Sequence, residues 1–127
     1  ERIACLEDFL LERLPDAVDP RILRATEAVR VAEGSAATRV EDLAERLGLT
    51  VRTLERLFRS HVGQSPKWVL RRFRIHEAAE RAAEGESIDW ARLAHELGFT
   101  DQAHFSKEFR AQVGVPPSTY ARRARQR

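Results

Sequence analysis

Apolar residues recur at intervals of three and four along most of the chain, and glycines and prolines interrupt this pattern at several points. In residues 40–47 the apolar positions are Val40, Leu43, Ala44 and Leu47, a spacing that predicts one buried face of a helix. Gly48 predicts the end of that helix, because glycine readily adopts the left-handed conformation that helix ends often require.

A second helix is predicted directly after this turn. Thr50 can accept a hydrogen bond from a free amide of the first turn and so cap the helix. Its buried face is predicted from the apolar positions Leu54, Leu57, Phe58 and Val62. A helix, a short glycine turn and a further helix form the helix-turn-helix pattern, in which the second helix enters the major groove of DNA.

The same arrangement occurs again about fifty positions later, where residues 93–117 (LAHELGFTDQAHFSKEFRAQVGVPP) resemble residues 43–66 (LAERLGLTVRTLERLFRSHVGQSP). The positions that recur after fifty residues are Leu43, Ala44, Leu47, Gly48 and Thr50, which return as Leu93, Ala94, Leu97, Gly98 and Thr100. Those that recur after fifty-one are Leu54, Phe58, Gly63 and Pro66, which return as Phe105, Phe109, Gly114 and Pro117. Two copies are too few for a stacked repeat protein, so two similar units are predicted.

The pattern predicts an all-α chain with four divisions. These are an N-terminal helix in residues 1–16, a first helix-turn-helix subdomain in 17–64, a linker helix in 65–85 and a second subdomain in 86–127. The two recognition helices are predicted at about residues 51–62 and 101–113.

Short polar residues ahead of apolar runs predict where individual helices begin. The predicted N-caps outside the two recognition helices are Asp19, Thr38, Ser65 and Asp89. Thr38 has Glu41 three residues later, which is the spacing of a reciprocal capping pair. The helix after Asp19 is predicted to bury Ile22, Ala25, Val29 and Ala32 and to end at Gly34.

The linker helix is predicted to begin at Pro66 and to end near Glu84, ahead of Gly85. About 19 residues at about 1.5 Å each give roughly 29 Å. Since the major groove returns to one face of B-DNA about every 34 Å, such a helix could hold two recognition helices in successive grooves.

Residues 1–14 place Ile3, Leu6, Leu10 and Leu14 on one face of a helix that ends before Pro15. Two interpretations are open. The helix either packs on this same domain, or it is a connector or dimer helix from an upstream domain that is missing here. The chain has no methionine, even at position 1, which suggests a part of a longer protein.

Charge is segregated along the chain, although the formal net charge is only +2. Residues 1–49 carry 7 basic and 11 acidic side chains, and residues 77–100 carry 2 and 6. In contrast, residues 50–76 carry 7 basic and 1 acidic side chain, and residues 101–127 carry 6 and 2. The basic blocks coincide with the second helix of each unit and the segment directly after it, as expected for binding to a polyanion.

The remaining composition excludes several classes of protein. A length of 127 residues fits one domain, and neither a run of about 18 apolar residues nor a signal-peptide pattern is present. The single Cys5 and the four scattered histidines predict no disulfide and no metal site, and the residues match no nucleophile motif or phosphate loop. We therefore predict a cytoplasmic, non-enzymatic protein without a cofactor, in which Trp68 and Trp90 belong to the core.

The outward positions of both recognition helices suit base recognition. On the first helix they are Arg52, Thr53, Glu55, Arg56 and Arg59, and on the second they are Gln102, Ala103, His104, Ser106, Lys107 and Arg110. Arginine can bind guanine bidentately, a carboxylate can accept from cytosine, glutamine suits adenine, and alanine suits the thymine methyl group. The alternative is an ordinary solvated face, which the repeat and the clustering of basic residues disfavour.

The sequence resembles the DNA-binding domain of AraC/XylS-type bacterial transcription regulators. The resemblance covers about residues 20–124, and its distinctive part is LAxxLGF at 93–99, DQAHFS at 101–106, Phe109-Arg110, Gly114 and Pro117. It implies seven helices in two similar subdomains joined by a long helix, which bind adjacent major grooves of double-stranded DNA. It also implies an activator that contacts RNA polymerase, is associated with the nucleoid, and carries an upstream sensor or dimerisation domain.

The resemblance also assigns residue roles. Base contacts are expected from Arg52, Glu55, Arg56, Gln102, Ala103, His104, Ser106 and Lys107. Phosphate contacts are expected from Thr50, Arg59, Lys67, Thr100 and Arg110, with Thr50 and Thr100 as the caps of the two recognition helices. Arg74 is expected to be structural. Glu55 would repel phosphates unless it binds a cytosine, and Trp90 is bulky where a small aliphatic residue is more usual.

Two other functions remain open at this point. A helical protein-interaction module could use the same basic faces to dock on acidic partner surfaces. RNA binding is a weaker alternative, because the major groove of an RNA helix is too narrow for a helix to enter.

Overall fold

The computed structural model of the chain describes residues 2–14, 17–84 and 87–126. These parts form eight helices and contain no β-strand. The helices are α1 (Arg2–Leu11), α2 (Pro20–Gly34), α3 (Val40–Arg46), α4 (Val51–His61), α5 (Pro66–Ala83), α6 (Trp90–Glu96), α7 (Gln102–Val113) and α8 (Pro117–Ala124). The all-α fold is confirmed. The predicted helix stops at Pro15 and Gly85 lie outside the described residues.

Three of the four predicted N-caps outside the recognition helices are confirmed. The side chain of Asp19 accepts from the Arg21 amide at 2.8 Å, and that of Ser65 accepts from the Trp68 amide at 3.2 Å. Asp89 accepts from the amides at positions 91 and 92. The prediction for Thr38 is wrong, because α3 begins one residue later, after Arg39, whose side chain makes no capping bond.

The two helix-turn-helix units end their first helices in the same way. The Gly48 amide donates to the Glu45 carbonyl at 3.0 Å, and the Leu49 amide donates to the Ala44 carbonyl at 2.9 Å. The Gly98 and Phe99 amides repeat both bonds, with the carbonyls of residues 95 and 94 and at the same lengths. Gly48 and Gly98 have φ values of +63° and +77°, the left-handed conformation that this helix ending requires.

Helix α5 belongs to two hydrophobic cores. Its first half contributes Val69 and Leu70 to a core with residues of α2, α3 and α4, and its second half contributes Ile75 and Ala78 to a core with residues of α6 and α7. The largest fully buried side chains of the first core are Leu43, Leu54, Phe58 and Leu70. Each core is thus closed by one half of the same helix, which fixes both units to a common axis.

Aromatic rings dominate the second core. The Phe105 ring lies 5.3 Å from Phe99 and 5.7 Å from Phe109, between ring centroids, and the Trp90 ring stacks on it at 6.2 Å. Trp90 therefore packs in the core as predicted, and the bulk that replaces Val40 of the first unit is accommodated by stacking. Tyr120 of α8 closes the same cluster against Phe109 at 5.8 Å.

Arg74 lies where the two cores meet on α5 and is only 6% exposed. Its guanidinium donates to the carbonyl of Ser35 at 2.8 Å and to that of Ala32 at 3.3 Å, which are at the C-terminal end of α2. It also pairs with the Glu77 carboxylate at 2.9 Å. The end of a helix leaves unpaired carbonyls and partial negative charge, so a cation placed there stabilises it. The structural role predicted for Arg74 is confirmed.

An ion-pair chain continues from Arg74 to the second unit. Glu77 also pairs with Arg81 at 2.6 Å, and Arg81 pairs with Glu96 of α6 at 3.0 Å. Arg92 binds the other oxygen of Glu96 at 2.8 Å. These hydrogen bonds, first from Arg92 and then from Arg81, hold the pKa of Glu96 below its ordinary value of 4.5.

The N-terminal helices leave apolar side chains in solvent. Ile3 is 75% exposed, and the other large apolar side chains of α1 and the following turn are 49% to 63% exposed. The structure therefore does not show α1 packed on this domain. Ile22, which was predicted to be buried, is 47% exposed, and Ala28 faces the core at 0% exposure. No described helix is a candidate to cross a membrane, and even the longest, α5, carries many charged residues.

Replacement of Phe105 by alanine tests the aromatic core. Phe105 is fully buried against three other aromatic rings, so we expect Phe105→Ala to lower the free energy of unfolding by about 3 to 5 kcal/mol. Urea titration followed by circular dichroism measures the change. Phe9→Ala is the control, because Phe9 is 49% exposed on α1 and should change stability little. Equal losses for both variants would contradict the assignment of the core.

The lowered pKa of Glu96 predicts a pH dependence of stability. A carboxylate whose pKa is depressed in the folded state stabilises the fold above its unfolded pKa, and this contribution is lost as the pH falls through the folded value. Glu96→Gln should therefore be less stable than the parent chain at neutral pH, and the difference should shrink below about pH 4.5, the ordinary pKa of glutamate. Thermal unfolding at several pH values measures this. A difference that persists unchanged at pH 3 would contradict it.

Candidate DNA-binding interface

The first recognition helix, α4, separates its buried and exposed residues sharply. Leu54 and Phe58 are 0% exposed in the first core. The predicted base-contacting residues Arg52, Glu55 and Arg56 all lie on the exposed side of the helix. The helix therefore presents two guanidinium groups and one carboxylate on a single solvent-facing surface, as the sequence predicted.

The start of α4 is fixed by two threonines. The Thr50 side chain accepts from the Thr53 amide at 3.2 Å, which confirms Thr50 as the N-cap, and the two hydroxyl groups lie 2.9 Å apart. Thr53 is half-buried and is therefore less available than its exposed neighbours Arg52, Glu55 and Arg56. Thr50 itself is exposed at the end of the helix where backbone amides point outward.

The second recognition helix, α7, is capped differently from the prediction. The carboxylate of Asp101 accepts from the His104 amide at 2.7 Å, so Asp101 and not Thr100 is the N-cap. The reason lies in the repeat, because the spacing between the units changes from fifty to fifty-one residues after the turn. Asp101 thus occupies the position of Thr50, and a negative charge stands at the start of the helix, where the helix dipole favours it.

The outer face of α7 is only partly free. Gln102, Ala103 and Lys107 are exposed, whereas His104 and Ser106 are half-buried. The His104 ring lies edge-on to Phe99, with 5.6 Å between centroids, and its Nε2 is 3.7 Å from Oε1 of Glu108. The same carboxylate oxygen lies 3.4 Å from the guanidinium of Arg71 on α5. No pattern in the sequence indicated this link between the linker helix and α7.

The cations of the recognition helices and of the start of α5 have no acidic partner within the described parts of the chain. These exposed residues are Arg52, Arg56, Arg59, Lys67, Lys107 and Arg110. Several arginines of the supporting helices are paired, such as Arg30 with Glu27 at 2.8 Å and Arg92 with Glu96 at 2.8 Å. An unpaired cation meets a phosphate without first breaking an ion pair, so the predicted DNA contacts on these helices carry free positive charge.

The start of α5 adds a residue that sequence reasoning missed. Trp68, which was predicted to belong to the core, is 46% exposed, and the guanidinium of Arg72 lies 5.6 Å from its ring centroid. Trp68 lines a cleft together with Glu55 and Arg59 of α4. The one sequence signal for an exposed Trp68 is its position in the first turn of α5, three residues after the cap Ser65.

Known proteins are similar to this chain across both units. A family model described as a helix-turn-helix domain matches residues 43–123. The chain is 35% identical over 82 residues to the HTH-type transcriptional activator RhaS of Pectobacterium carotovorum, which covers 65% of this chain and 29% of that protein. It is 33% identical over 118 residues to a putative AraC-like transcription regulator of Streptomyces lividans, over 87% of this chain and 38% of that protein. The chain thus spans well under half the length of these relatives.

Solved structures share the fold. The structure of a transcriptional regulator from Chromobacterium violaceum, described as an AraC-type DNA-binding domain-containing protein, matches with a TM-score of 0.67 and 25% identity, over 80% of this chain and 91% of that one. A DNA-binding transcriptional dual regulator from Escherichia coli K-12 matches with a TM-score of 0.65 over 89% of this chain and 100% of that one. At 20% identity the second match shows the fold alone.

Replacement of the two candidate caps distinguishes Asp101 from Thr100. We expect Asp101→Ala to lower the free energy of unfolding by about 1 kcal/mol, because one free amide of α7 loses its acceptor. Thr100→Ala should change stability by less than about 0.5 kcal/mol, as is usual for an exposed residue. Thermal and urea unfolding measure both. A larger loss for Thr100→Ala would restore the threonine as the cap.

Proposed function

Because the chain belongs to the AraC/XylS family of bacterial transcription regulators, we propose that it binds a specific double-stranded DNA site with α4 and α7 in successive major grooves. One observation carries this proposal: each recognition helix presents unpaired, exposed cations, and both units are fixed to the single helix α5. At 18 residues and about 1.5 Å per residue, α5 is about 27 Å long, close to the spacing of about 34 Å between successive major grooves on one face of DNA.

Helix α4 is the more strongly charged of the two and is assigned the guanine contacts. Arg52 and Arg56 lie four residues apart, which is about one turn, so their side chains project from the same side of the helix. Each can donate two hydrogen bonds to guanine O6 and N7. Glu55 can accept from the amino group of cytosine, and a cytosine opposite it would offset the repulsion between its carboxylate and the phosphates.

The base-contacting residues assigned to helix α7 carry less charge than those of α4. Gln102 suits adenine, Ala103 suits the thymine methyl group, and Lys107 suits guanine. His104 and Ser106 are included in this set, but their half-buried side chains reach only groups close to the helix. The Nε2 atom of His104 lies 3.7 Å from Oε1 of Glu108 and its ring lies edge-on to Phe99, so these two neighbours restrict the directions in which the imidazole can point.

Phosphate contacts are assigned to residues at the edges of the two helices. Arg59 and Arg110 lie in the last turns of α4 and α7, and Lys67 lies in the first turn of α5. Thr50 and Thr100 stand just before the recognition helices, where backbone amides favour an anion. Contacts of this kind fix the orientation of the protein on the duplex and carry no sequence information directly.

Two partners of the full-length protein complete the proposal. The relatives are named transcriptional activators, and an activator acts through RNA polymerase, so we assign this domain to a regulator that contacts polymerase in the bacterial cytoplasm. The relatives are also much longer than the matched region, and α1 exposes an apolar face that nothing in residues 2–14, 17–84 and 87–126 covers. We therefore assign residues 1–16 to the connection with an upstream sensor domain, ahead of the subdomains 17–64 and 86–127 and the linker 65–85.

Two neighbouring arginines of α4 test the division between base and phosphate contacts. Arg56→Ala should lose about 1 to 3 kcal/mol of binding free energy on the preferred site and relax the preference at one base pair. Arg59→Ala should weaken binding to all duplexes alike and reduce the salt dependence of binding. Fluorescence anisotropy at several salt concentrations, on a site obtained by selection from random duplexes, measures both.

The same selection distinguishes the proposal from a protein-interaction module. A chain that docks on acidic protein surfaces would return no sequence motif, although it would still bind heparin. If Arg56→Ala and Arg59→Ala lost the same affinity on every duplex, the assignment of base recognition to Arg56 would be wrong.

A further inference from the structure

The two glycine turns differ in one respect, although their backbones are nearly the same. A Cβ atom added at Gly48 would meet no atom within 4 Å. A Cβ atom added at Gly98 would lie 2.6 Å from Cβ of Thr38 and 3.0 Å from both its Cγ2 and its Oγ1. These distances are far below ordinary van der Waals contact, so the turn of the second unit is in close contact with a residue of the first subdomain.

Thr38 belongs to the loop between α2 and α3, sixty residues before Gly98. The threonine was predicted to cap α3, but the cap position is held by Arg39. The Thr38 side chain is half-buried instead. It is placed where the second subdomain turns from α6 into α7, so the loop that enters the first helix-turn-helix unit touches the turn of the second.

Both sides of this contact are tied to the cores and to α5. Ala37, next to Thr38, is 3% exposed in the first core, and Phe99, next to Gly98, is 5% exposed in the second. Arg74 holds the carbonyl of Ser35 just ahead of the loop. The ion-pair chain then runs from Glu77 through Arg81 to Glu96, two residues before Gly98. A displacement of Thr38 relative to Gly98 would therefore shift the two subdomains relative to each other, because neither residue lies in a loop that moves independently of its core.

We propose that the contact between Thr38 and Gly98 sets the relative orientation of the two recognition helices and, with it, the number of base pairs between the two half-sites that the protein accepts. This rests on the two-groove binding proposed above. If α5 were the only connection, each helix-turn-helix unit could still rotate slightly relative to this helix. A second point of contact away from α5 removes that freedom, because two fixed points define an orientation that one does not.

Glycine is required at position 98 for two reasons, the backbone conformation and the contact with Thr38. At position 48 only the first reason applies. Both positions have positive φ, which strains any other residue. Only at position 98 does a side chain also collide with another part of the protein, and the nearest atom is a Cβ, which cannot move without the backbone of its loop. Gly48→Ala is therefore a matched control that carries the backbone strain without the collision.

The first measurement is independent of DNA. Spin labels on Ser60→Cys and Ala111→Cys, at exposed positions of α4 and α7 in a Cys5→Ser background, report the distance between the recognition helices by pulsed electron resonance. We expect Gly98→Ala to shift this distance and Gly48→Ala to leave it unchanged. Thr38→Gly, which removes the colliding atoms, should restore the parent distance in the Gly98→Ala background. Alone, Thr38→Gly should broaden the distance distribution, and this variant decides the question if Gly98→Ala does not fold.

The second measurement is the preferred spacing between half-sites, by selection from duplexes in which the spacing varies. We expect Gly98→Ala to change the preferred spacing and to lower affinity for the parent site about tenfold more than Gly48→Ala does. In the Gly98→Ala background, Thr38→Gly should return both the preferred spacing and the affinity toward the parent values. Rescue of this kind would not follow from a loss of stability alone.

Four results would overturn the inference, in whole or in part. Equal distance shifts for Gly98→Ala and Gly48→Ala, or no restoration by Thr38→Gly, would show that the contact does not set the orientation. A shifted distance with an unchanged preferred spacing would show that the contact does not govern the DNA site. If the parent chain selects no duplex motif, the proposed function fails and the spacing part of the inference fails with it, whereas the label distances still decide the structural part.

Discussion

The sharing of α5 between two cores is the constraint on which the rest of this structure depends. Val69 and Leu70 complete one core, and Ile75 and Ala78 complete the other, within a single rigid helix. Each unit relies on that helix for part of its buried apolar surface. The arrangement makes the separation of the two units a property of helix geometry, at about 1.5 Å per residue. Arg74 marks the change from one core to the other and uses the free carbonyls of α2 as its acceptors.

Among the residues that the structure describes, the ion-paired arginines lie outside the two recognition helices. On α5 and α6, the arginines from Arg74 to Arg92 pair with glutamates, and these pairs join elements that must keep their relative positions. In the described chain, the arginines and lysine of the recognition helices form no ion pair with a carboxylate. The carboxylate of Glu108 on α7 lies instead beside Arg71 of α5 and His104. The near-neutral net charge of the whole chain therefore conceals a strongly polar distribution.

The elements that local rules determine could be predicted from the sequence. The helix ends at Gly48 and Gly98, the caps at Asp19, Ser65 and Asp89, and the buried face of α4 all depend on patterns within a few residues of each other. The all-α fold and its two units could be predicted from the repeat. Base and phosphate roles for individual residues remain predictions, because they concern contacts with a second molecule.

The features that could not be predicted depend on residues far apart in the chain. Thr38 has the spacing of a capping residue, yet it packs near Gly98, a neighbour that no local pattern reveals. Ile22 has the period of a buried position, but α2 turns its small residues inward, since Ala28 and Ala32 allow a close approach to the first core that a larger side chain would prevent. Thr100 matches Thr50 by simple offset, and the one-residue change in spacing gives the cap to Asp101.

The stacking of Trp90 on Phe105 has a practical consequence for optical studies of this protein. The chain has two tryptophans, one packed in the aromatic core of the second subdomain and the other, Trp68, facing solvent at the start of α5. Their emission maxima should differ accordingly, with the half-buried, stacked indole of Trp90 at shorter wavelength. Single Trp→Phe variants would then turn fluorescence into a separate reporter for each half of the molecule, so that melting of the aromatic half could be followed without interference from the aliphatic one.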